Sequence, residues 1–279
     1  MEPLLSIIIA NYNYGRFLGM AIESVVEQDA FSQCELIVVD GGSTDCSVDM
    51  IKTYAQKIAW WVSEKDAGQS DAFNKGFAHA KGRFLTWLNA DDIMVPNSLE
   101  SICKNLKQHP ECEWFTGNFF RFINGSNKVT EIGWGPNSYP RILQRRSSPL
   151  VVFGPSSIFS KRIYNMFGPM NIGLHYVMDT DLWVRFIVAG VKQRRIRAFC
   201  WGFRIHDESK TEGEAQKKAL EEKLGIERRS VAEAAGYHCS SALRWLLKFW
   251  RILDGSYLRA LYYRLRFLNC SYKKLGGCE

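Results

Sequence analysis

The 279-residue chain has no Cys-x-x-Cys pair and no Cys/His spacing of the zinc-binding kind, although it contains eight cysteines. Scattered as Cys34, Cys46, Cys103, Cys112, Cys200, Cys239, Cys270 and Cys278, they read as reduced thiols rather than a disulfide framework or a metal finger. No stretch approaches the roughly 18 uninterrupted apolar residues of a membrane-spanning helix. The opening residues carry no basic segment ahead of the apolar run, which argues against a secretory signal and for a cytoplasmic chain. No Gly-x-Gly-x-x-Gly follows the first apolar run, so a dinucleotide-dependent oxidoreductase has little support. Internal repeats and low-complexity tracts are also missing.

Charge of one sign is scarce until the end of the chain. Residues 241–279 hold eight Lys or Arg against two acids, which supplies +6 of the formal +7. The preceding 240 residues, with 28 bases and 27 acids, are nearly neutral and give no generic nucleic-acid footprint. Hydrophobic residues at 46% and charged residues at 23% are ordinary for a soluble globular chain. Length and composition fit one large α/β domain, or a domain of about 200 residues with an appendage.

What the sequence does have is an alternation of short β-branched runs and helical periodicities. Leu5-Ser6-Ile7-Ile8-Ile9-Ala10 reads as a buried parallel strand, followed by a helix over 16–26. The pattern repeats with a strand at 36–39 and a helix at 47–56, a strand at 58–62 and a helix at 70–80, then a strand at 84–88 and a helix after Pro96. Such alternation predicts a mostly parallel sheet covered on both faces, with ligands beyond the carboxyl ends of the strands. Residues 114–123 and 128–132 around Asn124-Gly125 predict a hairpin. A loop rich in Gly, Pro and Arg, 133–155, is followed by a helix at 181–189 and a basic strand at 193–203.

Three polar clusters fall where ligands are expected. Leu88-Asn89-Ala90-Asp91-Asp92 ends a hydrophobic strand with two adjacent carboxylates, a juxtaposition that a divalent cation or solvent must compensate. Mg²⁺ or Mn²⁺ with a nucleotide diphosphate would suit such oxygen ligands, and a solvated turn or helix cap is the plainer reading. Asp40, ahead of Gly41-Gly42-Ser43-Thr44-Asp45, could accept a base N–H across glycines that allow close approach, or simply organise the turn with Asp45. Tyr12 could stack on a base or fill a gap between loops.

Together the segments Ser6-Ile7-Ile8-Ile9-Ala10-Asn11-Tyr12-Asn13, Val38-Val39-Asp40-Gly41-Gly42-Ser43-Thr44-Asp45, 66–76, Trp87-Leu88-Asn89-Ala90-Asp91-Asp92 and Asp179-Thr180-Asp181-Leu182-Trp183 resemble the inverting family 2 glycosyltransferases of GT-A fold. The resemblance spans roughly residues 4–211. It implies an α/β GT-A domain over 1–212, and 213–279 reads as a helical, basic amphipathic appendage. It implies a nucleotide-diphosphate sugar donor held by Ala10, Tyr12, Asn13, Asp40, Asp66, Gln69 and Asp91, with Mn²⁺ or Mg²⁺ on Asp91, Asp92 and His206. Asp179 takes the place of the family's general base, with Asp181 as runner-up and as a helix cap otherwise. His206 lies in Arg204-Ile205-His206-Asp207-Glu208-Ser209-Lys210-Thr211, similar to the family's late Arg-x-His segment, where Arg204 or Lys210 could meet phosphate. Lys65 and Asp66 precede a helix start that could face the donor. His79, His109, His175 and His238 are read as structural, and Arg141, Arg145 and Arg146 carry no site assignment.

The sequence departs from the fuller pattern at Asn89, where many members have Asp, and at Met178, where many have Glu. Those departures favour the rival reading, a non-catalytic nucleotide-sugar-binding or scaffold protein that keeps the fold. The resemblance itself favours a metal-dependent transferase moving a sugar, with UDP-sugars the first choice, onto a saccharide or lipid-linked saccharide in cell-surface polysaccharide assembly. In the tail, Trp245, Phe249, Ile252 and Leu253 form one apolar stripe, and Leu258, Leu261, Tyr262, Leu265 and Leu268 another. Arg259, Tyr263 and Arg266 fall on the opposite face of the second helix. These faces suit first packing on the domain or a homodimer, and second peripheral contact with the inner face of the cytoplasmic membrane.

Overall fold

A computed structural model describes residues 2–133, 156–209, 217–234 and 256–275, together with the single positions 236, 249 and 253. Its first half follows the alternation in the sequence. Strands β1 (Leu5–Asn11), β2 (Cys34–Asp40), β3 (Trp60–Ser63) and β4 (Phe84–Asn89) pair in parallel in the order β3-β2-β1-β4. All seven residues of β1 are buried, because helices cover both faces of the sheet. Helices α1 (Gly15–Val26) and α2 (Ser47–Thr53) turn Leu18, Ile22, Val25 and Ile51 toward one face, and α3 (Gln69–His79) turns Phe73 and Phe77 toward the other.

Beyond β4 the sheet becomes mixed. The short β5 (Ile93–Met94) and helix α4 (Ser98–Gln108) lead to β6 (Trp114–Ile123), which pairs antiparallel with β7 (Val129–Gly133) as the expected hairpin. Next come β8 (Ser157–Ser160), α5 (Lys161–Phe167), α6 (Met178–Val188) and β9 (Gln193–Ile205). β8 runs antiparallel to both β4 and β6, while β9 runs parallel to β6 and carries β5 on its far edge. The described strands thus join in one nine-stranded sheet. The parallel character expected from the sequence holds for β3 to β4, and reversals at β8 and β5 make the remainder mixed.

Helix α6 starts at Met178, three residues before the position that apolar spacing indicates. The cause lies some fifty residues downstream. In helix α7 (Lys217–Ala234), Glu227 accepts the backbone N–H groups of His175, Tyr176 and Val177, donors of the kind that a helix start leaves open. Trp183 then fixes the helix on the sheet, stacked between Trp87 and Trp114 with ring centroids 5.5 Å from each. Val231 of α7 joins the same apolar cluster.

The last described helix, α8 (Ser256–Phe267), lies on the hairpin. Its packed residues are Tyr263 and Phe267, at 7% and 6% exposure, in edge contact with Phe199. Tyr263, grouped by helical spacing with the basic face, is therefore a packing residue, and the leucine stripe points away from the domain. The first apolar stripe of the tail lies outside the described residues except for Phe249 and Leu253, both exposed.

Truncating Trp183 to Ala removes the middle ring of the stack, and the expected loss is about 3–5 kcal/mol. Urea denaturation should show a lower midpoint with little change in slope.

Candidate functional site

The C-terminal ends of β1, β2 and β4 open into a cleft of about 870 Å³. Ala10, Tyr12, Asp66, Gln69, Asp91 and Asp92 all line it, so six of the residues singled out in the sequence come together there. Tyr12 is 60% exposed, with its ring available to a flat ligand. Tyr14, Lys65, Arg121, Phe203 and Arg204 line the same cleft.

Asp40 and Asn13 are beside the cleft but outside its lining. Asp40 is fully buried and accepts from Asn11 Nδ2 at 2.7 Å, Ser43 N at 2.9 Å, Ser43 Oγ at 2.5 Å and Ser63 Oγ at 2.6 Å. Burial pushes its pKa up, and these four donors outweigh that and hold the carboxyl below its ordinary value. Asn13, in a left-handed conformation, donates its backbone N–H to Ser43 Oγ and accepts from Thr44 N. Both residues shape the β1 and β2 ends. Gly41 then permits a close approach, since a Cβ there would meet Asp66 Oδ2 at 2.6 Å.

The two adjacent carboxylates at the end of β4 have different environments. Asp92 is buried, its Oδ2 accepting from Asn89 Nδ2 at 2.8 Å and its Oδ1 from the Arg204 backbone N–H at 3.0 Å. Burial first and the neighbouring Asp91 second push its pKa well up. Asp91 faces the cleft, with Oδ2 3.0 Å from His206 Nε2. The imidazole is itself buried, in contact with Phe17 at 4.6 Å and edge-on to Tyr14 at 5.6 Å between ring centroids. Its Nδ1 has no hydrogen-bond partner among the described residues. Tyr14 donates to the Glu208 carbonyl and Arg16 pairs with the Glu208 carboxylate at 2.6 Å, which ties the 206–209 segment to the start of α1.

Asn89 links these groups. Its Oδ1 accepts from Gln69 Nε2 at 3.0 Å while its Nδ2 donates to Asp92. A carboxylate at position 89 could not donate, and would add a third negative charge beside Asp91 and Asp92. The departure from the fuller pattern thus satisfies a buried acid.

Asp91 Oδ2 and His206 Nε2, hydrogen-bonded to each other at 3.0 Å, are an oxygen and a nitrogen donor that could together hold a divalent cation. Among the described residues no cluster of three or more His, Cys, Asp or Glu exists that could hold a metal by itself. Such a two-residue seat fits a cation that shares its remaining positions with water and substrate phosphate.

Asp179 does not line the cleft. It sits in the first turn of α6, where its Oδ1 accepts from Thr180 N at 2.6 Å. Burial raises its pKa above the ordinary carboxyl value. Asp181 pairs with Arg185 at 2.8 Å along the same helix, a bracing contact. Arg204 spends its guanidinium on the Asp91 carbonyl at 2.8 Å and Asn124 Oδ1 at 3.2 Å, while Lys210 and the loop containing Arg141, Arg145 and Arg146 lie outside the described residues. Arg121 was missed in the sequence. Its signal is a lone cation between buried Phe120 and Phe122 in a strand whose alternation turns it to the other face.

Replacing Asn89 by Asp should destabilise the fold by about 1–3 kcal/mol at neutral pH. Thermal unfolding at two pH values checks it, because the loss should shrink in acid, where a protonated carboxyl donates again.

Comparisons with known proteins bear on the fold and the family. An uncharacterized glycosyltransferase of Nostoc sp. is 42% identical over 101 residues, which cover 35% of this chain and 31% of that one. A PGL/p-HBAD biosynthesis glycosyltransferase of Mycobacterium bovis is 26% identical over 66% of this chain and 69% of its own length. The chain spans 31% of the Nostoc relative and 59% of an uncharacterized glycosyltransferase of Rickettsia typhi. Among solved structures, S. aureus TarS 1-349 in complex with UDP-GlcNAc aligns with TM-score 0.60 and 16% identity over 75% of this chain and 60% of that one. The mannosyltransferase PcManGT from Pyrobaculum calidifontis in complex with GDP-Man and Mn²⁺ aligns with TM-score 0.56 and 15% identity over 95% and 88%. At these identities the likeness shows the fold, GT-A. Residues 6–165, more than half of the chain, match glycosyl transferase family 2, and the protein belongs to that family.

Proposed function

We propose that the protein is a metal-dependent inverting glycosyltransferase, taking a sugar from a UDP-sugar and passing it to a saccharide or lipid-linked saccharide in cell-surface polysaccharide assembly. The observation that carries the reading is the Asp91–His206 pair at the edge of a cleft flanked by Tyr12 and Gln69. Tyr12 offers a ring face to the base, and Lys65 and Arg121 supply positive charge to a diphosphate. A bound Mn²⁺ or Mg²⁺ would neutralise charge developing on the departing diphosphate. Asp92 braces Asp91 from behind by binding the Arg204 backbone. A solved neighbour was captured with UDP-GlcNAc and another with GDP-Man, so the base is the first thing to test.

In this reading Asp179 is the general base. The attacking hydroxyl of the acceptor gives up its proton to the carboxylate as oxygen bonds to the anomeric carbon and the nucleoside diphosphate leaves from the opposite face. Burial of Asp179 suits this task, since a raised pKa makes a carboxylate a better proton acceptor. Glu227 and the Trp183 stack hold the helix that carries it.

Thermal unfolding with UDP, GDP and dTDP, each with and without Mn²⁺, tests the donor. UDP at about 100 times its Kd should stabilise by roughly 2.7 kcal/mol. Asp91→Asn and His206→Ala should each lose the Mn²⁺-dependent part. No shift with any nucleotide would favour a scaffold that keeps the fold without donor binding.

Asp179→Asn should lower transfer by about 10²–10⁴-fold while leaving nucleotide binding intact. The base works only when deprotonated, so activity is present above its raised pKa and lost as pH falls through it. The acid limb of kcat/KM should therefore lie above the ordinary aspartate range, and a limb at or below that range would remove Asp179 from the role.

A further inference from the structure

Helix α8 has two opposite faces with different fates. Tyr263 and Phe267 are packed on the domain, in the cluster that includes Val129, Phe122 and Phe199. On the other side Leu258, Leu261, Leu265 and Leu268 recur at three- and four-residue spacing, with Leu258 75% and Leu265 80% exposed. Arg264 and Arg266 are exposed one residue to either side of Leu265, which puts them about 100° around the helix on its two flanks. Lys273 and Lys274 add exposed charge just beyond the helix.

We propose that this face of α8 is a docking surface for an anionic lipid bilayer, with the leucines entering the interface and the flanking arginines reaching headgroup phosphates. An exposed leucine stripe with an arginine on each flank is the arrangement of a helix lying in a membrane plane. Charge decides the occupant. Residues 241–279 hold +6 of the chain's +7, and a second copy would set the same basic rows against each other, whereas anionic headgroups neutralise them. Arginine also keeps its stem on apolar surface while its head stays in the polar layer. Among the described residues no helix is long and apolar enough to cross a membrane, so the contact is peripheral.

The docking face is joined to the cleft through the hairpin. The chain after α8 is pinned to the hairpin by Asn269 N to Val129 O at 2.8 Å, Val129 N to Cys270 O at 2.9 Å and Tyr272 N to Asn127 O at 2.8 Å. Tyr272 stacks on Phe120 at 5.6 Å between centroids, and the next residue along β6, Arg121, lines the cleft. A bilayer under α8 would therefore lie at a set position relative to the cleft, which, on the proposed function, suits a substrate carried on a lipid.

Vesicle flotation of the full chain, without donor or acceptor, tests the surface separately from any transferase activity. At low salt the protein should float with phosphatidylcholine vesicles containing phosphatidylglycerol and stay behind with phosphatidylcholine alone, and added salt should release it. Leu261→Ser with Leu265→Ser should weaken binding at least about tenfold. Arg264→Gln with Arg266→Gln should weaken it about fivefold per arginine. These side chains are exposed, so thermal unfolding should be nearly unchanged, and flotation of the wild-type chain alone already tests the idea. Failure to float with anionic vesicles, or binding indifferent to both double variants, would overturn the proposal. So would a dimer by light scattering that the leucine variants dissolve, which would give the face to a second copy.

Discussion

Asp92 sits at the end of β4 among buried side chains, where a carboxylate is most expensive to leave unpaired. Its oxygens accept from the Asn89 amide and from the backbone of Arg204, so one acid ties the β4 loop to the far end of β9. These two segments are more than a hundred residues apart. Their junction lies beside the loop carrying His206, whose Nε2 meets Asp91.

The neighbouring acid is left for chemistry. Two adjacent carboxylates cannot share one environment cheaply, and the fold separates them by turning Asp92 inward and Asp91 outward. Asn89 makes that division stable by donating where an aspartate could only accept. Gln69 extends the chain of contacts to the start of α3, tying it to the end of β4. A similar logic governs Asp40, whose four donors consume the carboxylate that the sequence offers to a base. The cleft is built by polar groups that are spent on one another, and the ring of Tyr12 is left exposed along it.

The region after β9 contributes more than an appendage would. Glu227 caps the approach to α6, Val231 joins the core under it, and Tyr263 and Phe267 close the hairpin. The helix carrying the proposed base thus depends on a contact from an element late in the chain. The basic leucine stripe of α8 is the part of that region left facing outward.

Local sequence determined the strands and helices of the first half, because β-branched runs and helical spacing are properties of neighbouring residues. It also located Asp91 and Tyr12, since strand ends in such a sheet are where ligands bind, while Asp66 and Gln69 came with the family resemblance. Tertiary structure decided the rest. Which of Asp91 and Asp92 is spent inside depends on an N–H over a hundred positions away, and the start of α6 depends on Glu227 about fifty positions away. Which face of α8 packs was beyond helical periodicity, because both faces carry large apolar residues. Only the aromatic cluster beneath the hairpin selects Tyr263 and Phe267 and leaves the leucines outside.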